Sequence, residues 1–503
     1  MVSDIKIKKN LYKNTFFCGL STLIIGLVSF FLMPFMVLKL GVVQYGIFSI
    51  ANILSIAGYM SLFELGFQGA ITRFTAKYNE EEDFDSIFTM ITIFVICFVV
   101  LGLILMFLGF FLKDFLIYIF HISNDYKSLF SSSLNLIFLS YLFVFPSIVY
   151  IGILSGLQRF DVLKTIEIIT FLLYAGLVLF FLSQGKSFEY AIYSNLVCLF
   201  SRFVLYIISV KFLLSPVTNM KLKFSGIKEV IRMAKLLFVM RLSGFFYYNL
   251  PRLVVAVFLN PVFVTYYEIV TKIPRTLKST LGFVNGAVLP AASVLSARDD
   301  IGRVKKLLRC GMKYQLFILV PIVITGIIFS KNILSIWISS EYVFLAPLLQ
   351  IMFIWNLVIV MTTFTNSIMS GLNKNMKEMA LFSWISLFLS GAIMFSLLPL
   401  LNLKAVILGY TIGPLVWIPF IFIFSCKAMQ ISKNEVMGLF LNSINLILIP
   451  AFIIFSLKDF FINSNLLGII TNIFCTWLIF SFILWVFYLK LSERKEFLNI
   501  FKV

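Results

Sequence analysis

The chain has 503 residues, 61% of them hydrophobic, 17% aromatic and 13% charged, and carries a formal net charge of +19. Soluble domains have about 25% charged residues, so a water-facing surface of this size is excluded. A mean hydropathy of +1.04 excludes a disordered chain as well. What remains is an all-α polytopic membrane protein.

The lysines and arginines read as loop charges that orient helices, and no nucleic-acid partner is expected. The six cysteines stand singly without metal or redox spacing. His121 is the only histidine, which removes His-based metal clusters and argues against a His-dependent triad. No Gly-rich phosphate loop or Walker motif occurs, so neither a cofactor nor a built-in ATPase is expected.

Lys6, Lys8, Lys9 and Lys13 lead into an apolar run that is too long for a signal peptide and reads as the first membrane helix. In chain order, fourteen apolar segments follow one another near 14–38, 43–64, 87–112, 129–155, 165–183, 189–210, 233–257, 262–290, 314–330, 344–371, 379–400, 405–426, 437–457 and 466–489. No polar stretch between them is long enough for a separate soluble domain. With the N-terminus inside, cytoplasmic loops and termini hold 28 Lys and Arg and the opposite loops hold seven. The positive-inside rule then predicts cytoplasmic N- and C-termini. The acidic run Glu80–Asp83 reads as a solvated cytoplasmic loop.

The halves also resemble each other. Leu40-Gly41 pairs with Leu259-Asn260 at an offset of 219, and Gly69-Ala70-Ile71 with Gly286-Ala287-Val288 at 217. This suggests two parallel six-helix lobes, 1–215 and 216–430, followed by residues 431–503 with two further helices and a cytoplasmic tail.

Six cations fall inside spans: Arg202, Arg241, Arg252, Lys272, Arg275 and Lys278. A charge at mid-bilayer costs about 2.5–3.5 kcal/mol on insertion scales, so such residues normally face a cavity or a partner. Five of the six lie on the seventh and eighth helices. Arg252 follows Pro251 and Arg275 follows Pro274, where a helix bend can present a guanidinium to a wet, anion-binding cavity. Glu268 has Lys272 four residues on as an available partner, whereas Arg241, Arg252 and Arg275 have no such obvious partner. Glu64 and Glu268 are the clearest acids near membrane depth and the candidates for ion coupling. Tyrosines such as Tyr45, Tyr59 and Tyr248 read chiefly as interface and packing residues.

Several motifs carry a family resemblance. The run 40–48, LGVVQYGIF, and then Phe63-Glu64-Leu65-Gly66-Phe67-Gln68-Gly69-Ala70 resemble the start of bacterial polysaccharide repeat-unit (O-antigen or capsule-type) flippases. Ser155-Gly156-Leu157-Gln158-Arg159, Leu289-Pro290-Ala291-Ala292-Ser293 and Ser370-Gly371-Leu372-Asn373 follow in the family's order. That family sits in the multidrug, oligosaccharidyl-lipid and polysaccharide exporter superfamily. The resemblance implies two six-helix lobes around a cationic cavity, alternating access, and a location in the bacterial cytoplasmic membrane. It also implies an undecaprenyl-pyrophosphate-linked oligosaccharide as substrate, moved to the outer leaflet, with membrane lipids and other polysaccharide-assembly proteins as partners. Arg252, Lys272 and Arg275 match the cationic lining of the second lobe, while the uncharged first span departs from it. Two rival readings are a cation-coupled multidrug antiporter of the same fold, which calls for an acidic cavity, and a membrane-embedded glycan polymerase or acyltransferase, which calls for larger outer loops.

Overall fold

The computed structural model describes residues 2–55, 58–214, 226–298 and 300–420, with isolated positions at 222, 423–424, 426–429, 432, 434, 478 and 480. The expected helices at 437–457 and 466–489 lie outside the described residues, apart from the isolated positions 478 and 480. Among the described residues every regular element is helical. The chain forms two compact units, Met1–Glu268 and Ile269–Val503.

The first unit contains α1 (Val2–Ala51), α2 (Phe67–Glu80), α3 (Phe84–Ile119), α4 (Asn124–Gly156), α5 (Phe160–Ser183), α6 (Phe188–Leu214) and α7 (Ile227–Phe258). Helix α8 (Pro261–Ala297) begins there and continues into the second unit, which adds α9 (Ile301–Ile328), α10 (Ser330–Trp337), α11 (Ala346–Gly371), α12 (Met376–Leu401) and α13 (Leu403–Ile412). Nine stretches among the described residues are long and apolar enough to cross a membrane. Helices α7 and α8, at 32 and 37 residues, are also long enough to span. Helix α3 shows the solvent it was built for. Ile96, Ile104, Phe107, Phe111 and Phe115 all point outward, an apolar face that only lipid tolerates. The protein is a multi-pass membrane protein.

Helix starts follow local chemistry. Asp83 caps α3, accepting from the Ser86 amide at 3.2 Å and its hydroxyl at 2.8 Å. The acidic run is therefore more than a solvated loop, because its last member fixes where α3 begins. Asp300 caps α9 in the same way, accepting from the Arg303 amide at 3.0 Å. The two caps have nearly identical backbone angles (φ −87°, ψ 73° and φ −88°, ψ 72°) and stand 217 positions apart. That separation matches one offset of the internal resemblance.

The second predicted span departs from a simple helix. Gly41, with φ 73° and ψ 169°, occupies a region essentially closed to other residues and separates the first span from the second within α1. The α-helical part of the second span ends at Ala51. Two short 3₁₀ turns follow (Asn52–Leu54 and Tyr59–Glu64), then Leu65 and Gly66 in the left-handed region, and only then α2. A break of this kind strands backbone carbonyls, which in a membrane must find donors. They do. Asn52 Nδ2 bonds the Phe48 carbonyl at 2.9 Å, and Ser55 Oγ bonds that of Asn52 at 2.8 Å. Tyr141 on α4 donates its hydroxyl to the Leu54 carbonyl at 2.6 Å, and Ser61 Oγ bonds that of Gly58 at 2.8 Å. Residues 67–80, outside the predicted span, continue it as α2 and pack on α4 and α7.

In the second unit, α9 packs on α11, and α12 on α13. Val288, Leu308, Phe364, Ile368, Trp417 and Phe420 form a buried core there.

Candidate functional site

The broken span is gripped from both sides by the helices that carry the intramembrane cations. Towards its start, Gly46 lets the backbone meet the Pro261 carbonyl, a contact that a Cβ would block. Nearby, Thr265 Oγ1 donates to the Val42 carbonyl at 2.6 Å. One and two turns further, Arg252 on α7 donates from Nη2 to the Ser49 carbonyl at 2.6 Å, and its Nε lies 2.9 Å from Glu268 Oε1 on α8. Ser49 lies within the last four residues before α1 ends, so its carbonyl has no helical amide to accept from. Arg252 therefore completes the broken helix end while Glu268 balances its charge. Arg252 and Glu268 side chains are 20% and 17% exposed.

Past the break, Glu64 lies just ahead of α2, near the Gln68 amide of its first turn. A carboxylate belongs there, at the positive end of a helix. Arg241 on α7 approaches it with Nη1 3.6 Å from Oε1. Glu64 is 19% exposed, but Arg241 is 63% exposed. Beside the pair lies a cavity of about 250 Å³ lined by Ser61, Leu62, Leu65, Phe238, Leu242 and Phe245. Gly66 and Gly69 face Ala234 and Leu237, which lets α2 and α7 approach at backbone distance.

Two expectations are corrected here. Arg252 and Arg241 do have acidic partners, in Glu268 and Glu64, because the pairs form between elements and helical spacing sees only one helix at a time. Glu268, which spacing offers to Lys272, engages Arg252. The remaining cations lie elsewhere. Arg202 on α6 donates from Nε to Thr170 Oγ1 on α5 at 2.9 Å. In the second unit the Arg275 guanidinium lies 5.7 Å over the Tyr410 ring, which in turn stacks on Trp355 at 5.1 Å. Lys272 and Lys278 flank Arg275 on α8, one turn to either side. Sequence reasoning missed the break itself, although Asn52, Ser55, Gly58 and Ser61 punctuate the span at the positions where it occurs.

The family model for polysaccharide biosynthesis proteins matches residues 11–296, more than half of the chain. The chain belongs to that family. The fold has solved counterparts. A lipid II flippase, MurJ, in an inward closed conformation matches with a TM-score of 0.71 at 17% identity, covering 93% of this chain and 98% of its own. An inward-facing multidrug resistance MATE transporter of the MOP superfamily matches at 0.61 and 14% identity, covering 81% of this chain and 92% of its own. A MOP superfamily transporter from Pyrococcus furiosus, described as having a binding pocket of reversed polarity, matches at 0.56 and 13% identity, covering 84% and 97%. No curated protein matches by sequence. The fold is thus that of MOP-type flippases and transporters, polytopic and all-α, as the sequence implied.

Proposed function

We propose that the protein is a flippase that moves undecaprenyl-pyrophosphate-linked oligosaccharide units from the cytoplasmic to the outer leaflet of the bacterial cytoplasmic membrane. The observation that carries this reading is membership of the polysaccharide biosynthesis family on a fold shared with a lipid II flippase. The intramembrane charge supports it. Six cations against Glu64, Glu268 and Glu167 leave a positive excess of about two to one, which suits an anionic pyrophosphate and opposes a cationic drug. Termini in the cytoplasm, lobes at 1–215 and 216–430, and transport without covalent chemistry belong to the same reading.

The test is reconstitution in proteoliposomes with a fluorescent polyprenyl-pyrophosphate oligosaccharide loaded in one leaflet. Protein-dependent exposure of the sugar to an external lectin is the expected result. Inert vesicles, together with ethidium efflux driven by a cation gradient, would instead establish the antiporter.

A further inference from the structure

Among the arginines of the first unit, Arg252 is tied on two edges and mostly covered, whereas Arg241 is held at one nitrogen and is 63% exposed. Glu64 holds it at 3.6 Å, with Oε1 itself buried, and that carboxylate stands at the N-terminal end of α2. The guanidinium presents five donors in a fixed fork, and the edge away from Glu64 remains for a second anion. The adjoining cavity supplies the other half of a ligand. Its walls are Leu62, Leu65, Phe238, Leu242 and Phe245, with Ser61 and the Glu64–Arg241 pair as the polar edge. Phe245 is fixed by an edge-on contact with Tyr59 at 5.4 Å. A free phosphate would find an apolar wall on most sides, and a plain hydrocarbon would leave the guanidinium unused.

We propose that this cavity is a binding subsite for the junction between phosphate and hydrocarbon in a prenyl phosphate, with Arg241 as the residue that contacts the phosphate. Arg252 is then a positioning residue that holds the broken span. This deepens the flippase reading and rests on it, and it gives the phosphate contact to Arg241 rather than to Arg252 at its proline bend. About 250 Å³ accommodates the phosphate and the first isoprene units, and the remaining chain continues into lipid. The Glu64 carboxylate sets the approach: the phosphate meets the far edge of the fork, since the near edge would bring two anions together.

The test is direct binding to the purified full-length protein in detergent, measured with a sugar-free prenyl phosphate. Inorganic pyrophosphate, the matching prenyl alcohol and phosphatidylglycerol serve as competitors. The expected result is that Arg241→Ala weakens prenyl phosphate binding by about tenfold or more, since a charge-assisted bidentate contact is lost. Arg241→Lys should recover part of the affinity, because charge remains but the fork does not. Leu242→Trp keeps the charge and fills the cavity, and it should weaken binding to a similar degree with thermal stability retained. Each competitor should displace the probe poorly, having only one of the two required features or the wrong headgroup shape. Wild-type affinity in both Arg241→Ala and Leu242→Trp would overturn the site. Equal competition by phosphatidylglycerol would reduce it to a general lipid contact and also overturn it. Unaffected binding with glycan transport intact removes only this subsite, whereas absent glycan transport in the wild type removes the flippase reading itself.

Discussion

Removing the Arg252 guanidinium should loosen the grip of α7 and α8 on the broken span. Arg252→Met keeps most of the side-chain volume and deletes two charge-assisted contacts, at 2.9 Å to Glu268 and 2.6 Å to the Ser49 carbonyl. The Ser49 contact is a hydrogen bond from a charged donor, worth about 1.5–3 kcal/mol, whereas the Glu268 contact is an ion pair without hydrogen-bond alignment. Stranding a fully buried counter-ion costs about 3–5 kcal/mol. Both side chains keep a fifth or less of their exposure, so water relieves part of that penalty. The expected destabilisation is about 2–4 kcal/mol, towards the lower side of these figures because of that access. Glu268→Gln keeps an acceptor oxygen and should cost about 1–2 kcal/mol. In the double variant no uncompensated carboxylate remains, so the two losses should overlap by about 1–2 kcal/mol. Equilibrium unfolding of the four proteins in mixed micelles of rising SDS content gives the coupling directly. Additivity within about 0.5 kcal/mol would refute the pair as an energetic unit.

Gly41→Ala should cost about 1–3 kcal/mol from backbone strain alone, since no atom lies near the added methyl group. Gly176→Ala, equally open but in ordinary helix, should be neutral or stabilising by up to about 1 kcal/mol, and thermal melts of both check the contrast. Gly46→Val should separate the start of α8 from the second span by clashing with the Pro261 carbonyl. The readout is loss of disulfide trapping between cysteines placed at Val42 and Thr265. Reporter fusions at His121 should read as outside and at Arg303 as cytoplasmic, and the reverse at either would overturn the orientation drawn from loop charge. Glu64→Gln should leave the protein abundant in the membrane while abolishing the dependence of transport on an imposed ion gradient, and unchanged coupling would confine Glu64 to its structural contacts.

The helical architecture was legible because lipid leaves its mark on the spans: α3 to α6, α11 and α12 fall close to the apolar runs that announce them, while the run at 405–426 is only partly α13, which ends at Ile412. The cations were legible for the same reason, as exceptions to that mark. Their partners were not. Arg241 and Glu64 are separated by 177 positions, and Arg252 and Glu268 by the turn between α7 and α8. Periodicity reports which residues share a face of one helix and is silent on what the face meets. The break was hidden because hydropathy averages over it, and Ile53, Leu54, Met60 and Leu62 keep the window apolar while the backbone changes course. What could have revealed it was the cluster of small and hydrogen-bonding residues, read as donors that a broken backbone needs.

The close seam between α2 and α7 has a mechanical consequence. Where two helices interlock through large side chains, sliding one past the other requires every knob to leave its hole. Gly66 and Gly69 offer no such teeth to Ala234 and Leu237; further along the seam Arg73 Nη1 meets Met233 Sδ at 3.8 Å, and Tyr78 reaches Gly226. Packed helices move readily by shear when the interface is shallow. This seam can therefore shift lengthwise by small steps without parting, while the Glu64–Arg241 pair, which ties α7 to the turn ahead of α2, acts as its detent.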